Sequence, residues 1–333
     1  MDDNKLKAGV AGVLKRIDWV ELLRNYLVVF VAVVLFIVST QLSPAFLSTQ
    51  NIFNLLRQLV APTLIAMGML FVIKTGGIDL SVGSLVAIGS VLVTHWLYSG
   101  MNLFVTIVLV LLVSAAFGAF SGYLVAYRKL APFVVTLAGM TIARGIAFIV
   151  SRGMPQFVMS DPLRSFARDN LLGIPVLVWV TLLIVLILGL VQRHTSWGRL
   201  VQSVGSNETA AKLSGIRTNL YKVSVYVLSA MLAGFGGIII ASRAGMGSPL
   251  AGQMYELNAI AAVVIGGASL AGGSGKVLNT LMGVWVLGMI GNIMNLMNIS
   301  SHPQAVIQGV IIILAILMQV GKKRKDITSS SMV

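Results

Sequence analysis

Side chains able to do chemistry are scarce in this chain and poorly clustered. It has no cysteine, which excludes disulfides, thiolate nucleophiles and cysteine metal sites. The three histidines, His95, His194 and His302, are too scattered to suggest a shared metal ion. Gly273-Ser274-Gly275-Lys276-Val277 has the outline of a phosphate-binding loop. Leu270 stands where that loop needs its first glycine, however, and Val277 where it needs Ser or Thr. The chain is therefore expected to hold no nucleotide, cofactor or metal of its own and not to be an enzyme.

What remains is a handful of polar groups set in apolar surroundings. Arg144 lies deep in an apolar run, where an ionisable group costs about 2.5–3.5 kcal/mol on insertion scales and defaults to a functional candidate. It contacts either a substrate path or a structural partner. Arg57 sits close enough to the end of its run to reach the interface, which favours a bland role. Asn292, Asn295 and Asn298 recur every third residue and form a polar stripe, suited to a hydroxyl-rich neutral solute or to hydrogen bonds between helices. Asp79 and Glu256 stand at the ends of apolar runs and no acid is central, which weakens an ion-coupled carrier.

The elements that position these groups follow from composition. Of 333 residues, 57% are hydrophobic and 10% charged, with mean hydropathy +0.94. Soluble domains carry roughly 25% charged residues. Apolar stretches fall at about 22–41, 52–73, 82–99, 103–126, 133–151, 174–192, 221–242, 256–272, 277–298 and 304–320, each near the ~20 residues a membrane crossing needs. An all-α integral membrane protein of about ten transmembrane helices is expected. The first stretch is too long for a signal peptide and has no small-residue cleavage pattern.

The excess of 24 Lys+Arg over 10 Asp+Glu has a place in that plan without nucleic acid. Basic residues gather in segment 1–21 (Lys5, Lys7, Lys15, Arg16), in loop 193–220 (Arg193, Arg199, Lys212, Arg217) and in tail 321–333 (Lys322, Lys323, Arg324, Lys325). Only Arg152, Arg164, Arg168 and Arg243 fall in the opposite connections, so both termini are expected on the cytoplasmic side. Segment 1–21 has helical apolar spacing and reads as an amphipathic helix on the lipid surface, followed by a membrane domain over 22–320.

Two internal matches suggest an inverted 5+5 repeat, pairing spans 2–5 with spans 7–10. Asp79-Leu80 with Ile88-Gly89 resembles Glu256-Leu257 with Ile265-Gly266, and Pro132 with Gly139 resembles Pro303 with Gly309. A competing match, Gly76-Gly77 with Gly83-Ser84 against Gly266-Gly267 with Gly273-Ser274, would give a parallel repeat. The same glycine clusters read equally as broken helices beside a path or as close packing with a tight turn.

Loop 193–220 is the largest inner connection. Asn207 can cap a short helix with Glu208 in its first turn, and Gly215 can end it. Such a helix, about 208–214, would expose Ala210, Ala211, Leu213 and Ser214, small and apolar enough to press into another protein's groove.

These residues, with Thr75-Gly76-Gly77-Ile78-Asp79-Leu80-Ser81-Val82-Gly83 and Val264-Ile265-Gly266-Gly267-Ala268-Ser269-Leu270, resemble the permease subunits of bacterial ABC importers for monosaccharides, over essentially the whole chain. Ribose, xylose, arabinose, galactoside and autoinducer-2 systems form this group. Branched-chain amino-acid permeases are related, and the Asp79 motif looks more like the sugar group. The resemblance implies a bacterial inner-membrane protein paired with a second permease copy or a paralogue. It implies cytoplasmic subunits that bind ATP and Mg and dock on the helix at Asn207–Gly215, and a periplasmic sugar-binding protein on the outer face.

Overall fold

A computed structural model describes residues 19–157, 161–300, 302–311, 313–314 and 317. The expected amphipathic segment 1–21, apart from its last three residues, and the basic tail 321–333 lie outside them. The elements in chain order are α1 (Trp19–Leu42), a 3-10 turn (Pro44–Leu47), α2 (Thr49–Lys74), α3 (Val82–Tyr98), α4 (Leu103–Ala126) and α5 (Pro132–Ser151). There follow β1 (Gln156–Phe157), α6 (Asp161–Arg168), β2 (Asn170–Leu171), β3 (Ile174–Pro175), α7 (Val176–His194), α8 (Ser196–Ser206) and α9 (Glu208–Leu213). The last are α10 (Thr218–Ala244), β4 (Met246–Gly247), α11 (Tyr255–Ile265) and α12 (Val277–Leu296), with a further helix through 302–311.

Among the described residues, α2, α4, α5, α7, α10 and α12 are long and apolar enough to cross a membrane. Three shorter apolar helices, 27–42 of α1, α3 and α11, and the helix at 302–311 occupy the other apolar stretches read from the sequence. At 1.5 Å per residue, the 26 residues of α2 reach about 39 Å, whereas the 11 of α11 reach about 16 Å, half a ~30 Å hydrocarbon core. The glycine clusters at 266–275 and 75–81 are both non-helical. Irregular backbone in a membrane domain is tolerated where protein encloses it, and Thr75, Asp79, Leu80 and Ser81 are buried.

The core is built on α2 and α10, whose sides are mostly buried, while α4, α5 and α7 turn large apolar side chains outward. Exposed rows such as Leu182, Leu183, Leu186 and Leu190 on α7 would drive aggregation in water and are what lipid requires. α2 and α10 run antiparallel, since Gly68 meets Ser229 while Ile65 and Ala61 meet Gly236. α10 packs against α3 and α4 of the first half, and α2 against α11 and α12 of the second. Each half thereby lends its long helix to the other. α4 also approaches α10 closely, with Gly118 and Gly122 backed onto Tyr226 and Val223, a small-xxx-small contact.

In the connection between α5 and α7, α6 buries Leu163 and Ala167. β1 pairs antiparallel with β4, and β2 with β3 across Leu172-Gly173, both at positive φ as a tight hairpin requires.

Candidate coupling face and pathway residues

Loop 193–220 folds as two short helices with a sharp joint. Thr195 caps α8, its hydroxyl accepting from the Gly198 N–H at 3.2 Å. Asn207 then leaves helical geometry at φ −157°, and its Oδ1 accepts from the Ala210 N–H at 2.9 Å, starting α9. Gly215 at φ +79° ends it, a conformation costly for any residue with a Cβ. Leu213 is 86% exposed, and Ala210 and Ser214 are open as well. Ala211 is the exception to the expected face. It is 5% exposed and turns inward, because a single helical turn cannot present residues 210, 211 and 213 on one side. Grooves flank α9: one of about 530 Å³ beside Arg199, Gln202 and Asn207, the other of about 580 Å³ beside Trp197, Leu200 and Leu220.

Glu208 anchors this face. Its carboxylate lies 2.5 Å from Lys222 Nζ, 2.7 Å from Lys212 Nζ and 3.5 Å from Lys129 Nζ. Partial burial pushes the carboxyl up, but hydrogen bonds from Lys212 and Lys222, with the charges of Lys222 and Lys129, hold it down at about 2. It is ionised throughout the physiological range.

Just before α9, three chain segments converge. The Lys74 carbonyl at the end of α2 accepts from the Gly273 N–H at 2.9 Å. Gly205 of α8 presses on the same oxygen so closely that a Cβ there would overlap it. Gly272 packs on Gly205 and on the backbone of Gly76. The two glycine clusters are therefore neighbours in space on one side of the molecule.

Residues 51–316 match the family described as branched-chain amino acid transport system / permease component. The chain belongs to this permease family. It is 41% identical to the ribose import permease protein RbsC of Bacillus subtilis over 86% of this chain and 89% of that one. It is 40% identical to its Escherichia coli K12 namesake over 86% and 90%. The xylose transport system permease protein XylH of Escherichia coli K12 is 34% identical over 89% and 91%. No solved structure matches.

Within the permease, the residues singled out as pathway candidates are not brought together. Asn292 is buried and forms a reciprocal amide pair with Asn51, at 2.9 and 3.0 Å, tying α12 to α2. Asn295 Oδ1 accepts from Gln304 Nε2 at 2.8 Å, and Asn298 has left the helix, at φ +56°. Helical spacing therefore does not carry through to the third member of the stripe. Arg144 Nη1 donates to the carbonyls of Pro249 and Ala251, at 2.6 and 2.8 Å, and holds the loop before α11. Asp79 is 1% exposed, accepting from the Ser81 N–H and hydroxyl and, on Oδ2, from Ser229 of α10 at 3.0 Å. Arg57 Nη2 donates to Asn170 Oδ1 at 3.0 Å.

The structure adds groups that spacing did not single out. Lys129 and Lys222 are invisible as partners of Glu208 until the chain folds. Lys74 is fully buried with its Nζ 5.9 Å from the Phe71 ring and without a hydrogen-bond partner. Its signal in the sequence is a lone lysine closing the apolar run 52–73. Among the described residues no cluster of His, Cys, Asp and Glu could hold a metal ion.

Proposed function

We propose that this permease forms the membrane path of an ABC importer for a pentose or similar monosaccharide. A periplasmic binding protein delivers the sugar, and two cytoplasmic subunits that bind ATP and Mg supply the energy. The observation that carries the reading is α9: a six-residue helix, capped at both ends, ion-paired to the membrane helices and offering Leu213 to a partner. A connector with no partner has no need of an exposed leucine held that firmly. The names of the relatives, ribose and xylose permeases, support a pentose over an amino acid. The basic inner connections support an inner-membrane orientation with both termini cytoplasmic.

A second permease copy fits the side where α5 and the helix at 302–311 lie. These helices are equivalent under the repeat, and both leave broad faces uncovered, Leu137, Ile142 and Ile146 on one and Val306 and Val310 on the other. On α5 that face includes the small residues Ala138, Thr141 and Gly145, where another helix could approach closely.

The test is reconstitution of the permease in liposomes with its ATPase and binding protein, following ATP hydrolysis and uptake with ribose, xylose and leucine. Stimulation by a pentose alone is expected. Stimulation by leucine alone would move the permease to the amino-acid branch. Uptake by the purified chain along an ion gradient, without ATPase, would make it a carrier.

A further inference from the structure

All the ion pairs found among the described residues end on one carboxylate, Glu208. Lys212, one turn along α9, is an ordinary i,i+4 partner. The other two arrive from different parts of the fold. Lys222 belongs to the second turn of α10, and its side chain is only 15% exposed. Lys129 comes from the corner between α4 and α5, where its backbone takes φ +59°, and its Nζ also donates to Asn219 Oδ1 at 3.1 Å. One carboxylate thus joins α9 to a helix of the second half and to a corner of the first.

α9 has little else to hold it. Six residues are too few for a helix to be stable alone. Its two ends, Asn207 in extended geometry and Gly215 in the left-handed region, are joints rather than continuations. A push on α9 would be absorbed by rotation at these joints unless something stiff stood behind it. Isolated surface ion pairs contribute little, but here three ammonium groups share one partly buried acceptor, and the shortest contact is the least exposed.

We propose that Lys222 and Lys129 are positioning residues for energy coupling: through Glu208 they brace α9, so that a displacement imposed by the ATPase moves α10 and the α4–α5 corner together. The proposal rests on the reading of α9 as the docking element. Lys222 carries most of the brace and Lys129, at longer range and half exposed, a smaller part.

The test uses the full importer in liposomes, with ATPase retained on purification, sugar-stimulated ATP hydrolysis and sugar moved per ATP read separately. Lys222→Met is expected to retain the ATPase but move at least tenfold less sugar per ATP, with Lys222→Arg restoring most of it. Lys129→Met is expected to lose two- to threefold. Undiminished transport per ATP in Lys222→Met overturns the brace, as does loss of the ATPase itself, which would place the pair in docking instead of transmission. If Lys222→Met fails to insert, Glu208→Gln, which keeps a hydrogen-bonding side chain without the charge, decides by the same readouts. Leu213→Asp separates the two readings. If it releases the ATPase while Lys222→Met stays coupled, docking stands and the brace falls. If Leu213→Asp keeps a coupled ATPase, α9 is not the docking element and the reading beneath the brace fails.

Discussion

Asn292 shows how a polar side chain in a membrane helix divides between holding the fold and meeting a solute. Both of its amide contacts go to Asn51, each residue donating one and accepting one bond within the pair, while Asn51 Nδ2 also donates to the Phe46 carbonyl at 2.9 Å. Removing Asn292 leaves Asn51 Oδ1 without its donor in an apolar setting, whereas removing both takes away that unpaired oxygen together with the Asn51–Phe46 bond. Asn292→Leu is therefore expected to lower stability by about 1 kcal/mol, and Asn51→Leu with Asn292→Leu to lower it by less than the sum of the two single changes. A double-mutant cycle by thermal unfolding in detergent measures this, and an additive result would show that the pair is not coupled. Transport per folded molecule should hardly change. Arg144 and Asp79 follow the same pattern, each spent on backbone carbonyls or serine hydroxyls in this conformation. Their types and depth were visible in the sequence. Their partners were not, because Asn51, Pro249 and Ser229 lie far along the chain and no periodicity links them.

At the scale of elements, local rules carried far. The apolar runs became helices at nearly the expected places, and Asn207 and Gly215 bounded α9 because their side-chain chemistry acts within four residues. Two features escaped that kind of reading. Ala211 turned inward, since which face a single turn presents depends on what packs behind it. The glycine clusters could be read as turns or as broken helices, and only the tertiary contacts at Lys74 decide what they do. Gly205 is the sharpest test of that junction. Its backbone is helical, so alanine would ordinarily help, yet its Cβ would overlap the Lys74 carbonyl. Gly205→Ala is expected to reduce both folded yield and coupled ATP hydrolysis severely, while Gly291→Ala, with nothing within 4 Å, serves as a neutral control on α12. Wild-type behaviour of Gly205→Ala in a fluorescence size-exclusion assay would show that α8 does not press on α2 in the membrane.

For the molecule as a whole, α5 and the helix at 302–311, at the ends of the two halves, leave broad apolar faces uncovered. Gly145 has open space in front of it, so Gly145→Trp should leave the single chain folded. If a second copy packs there, the same change should halve the mass of the permease assembly in native mass spectrometry and abolish uptake. An assembly of unchanged mass would place the second copy elsewhere.

The sharing of the Lys74 carbonyl between Gly205 and Gly273 also constrains how the protein can be made. Ribosomes add roughly 5–20 residues per second, so residue 273 follows residue 74 by roughly 10–40 s. For most of that interval α2 lacks its partners α11 and α12, and until Gly273 is made the last carbonyl of α2 lacks its donor. The insertion machinery or surrounding lipid must shelter a nearly finished first half until the second arrives, and an interruption of synthesis before residue 218 leaves a fragment whose central helix lacks its main partner α10.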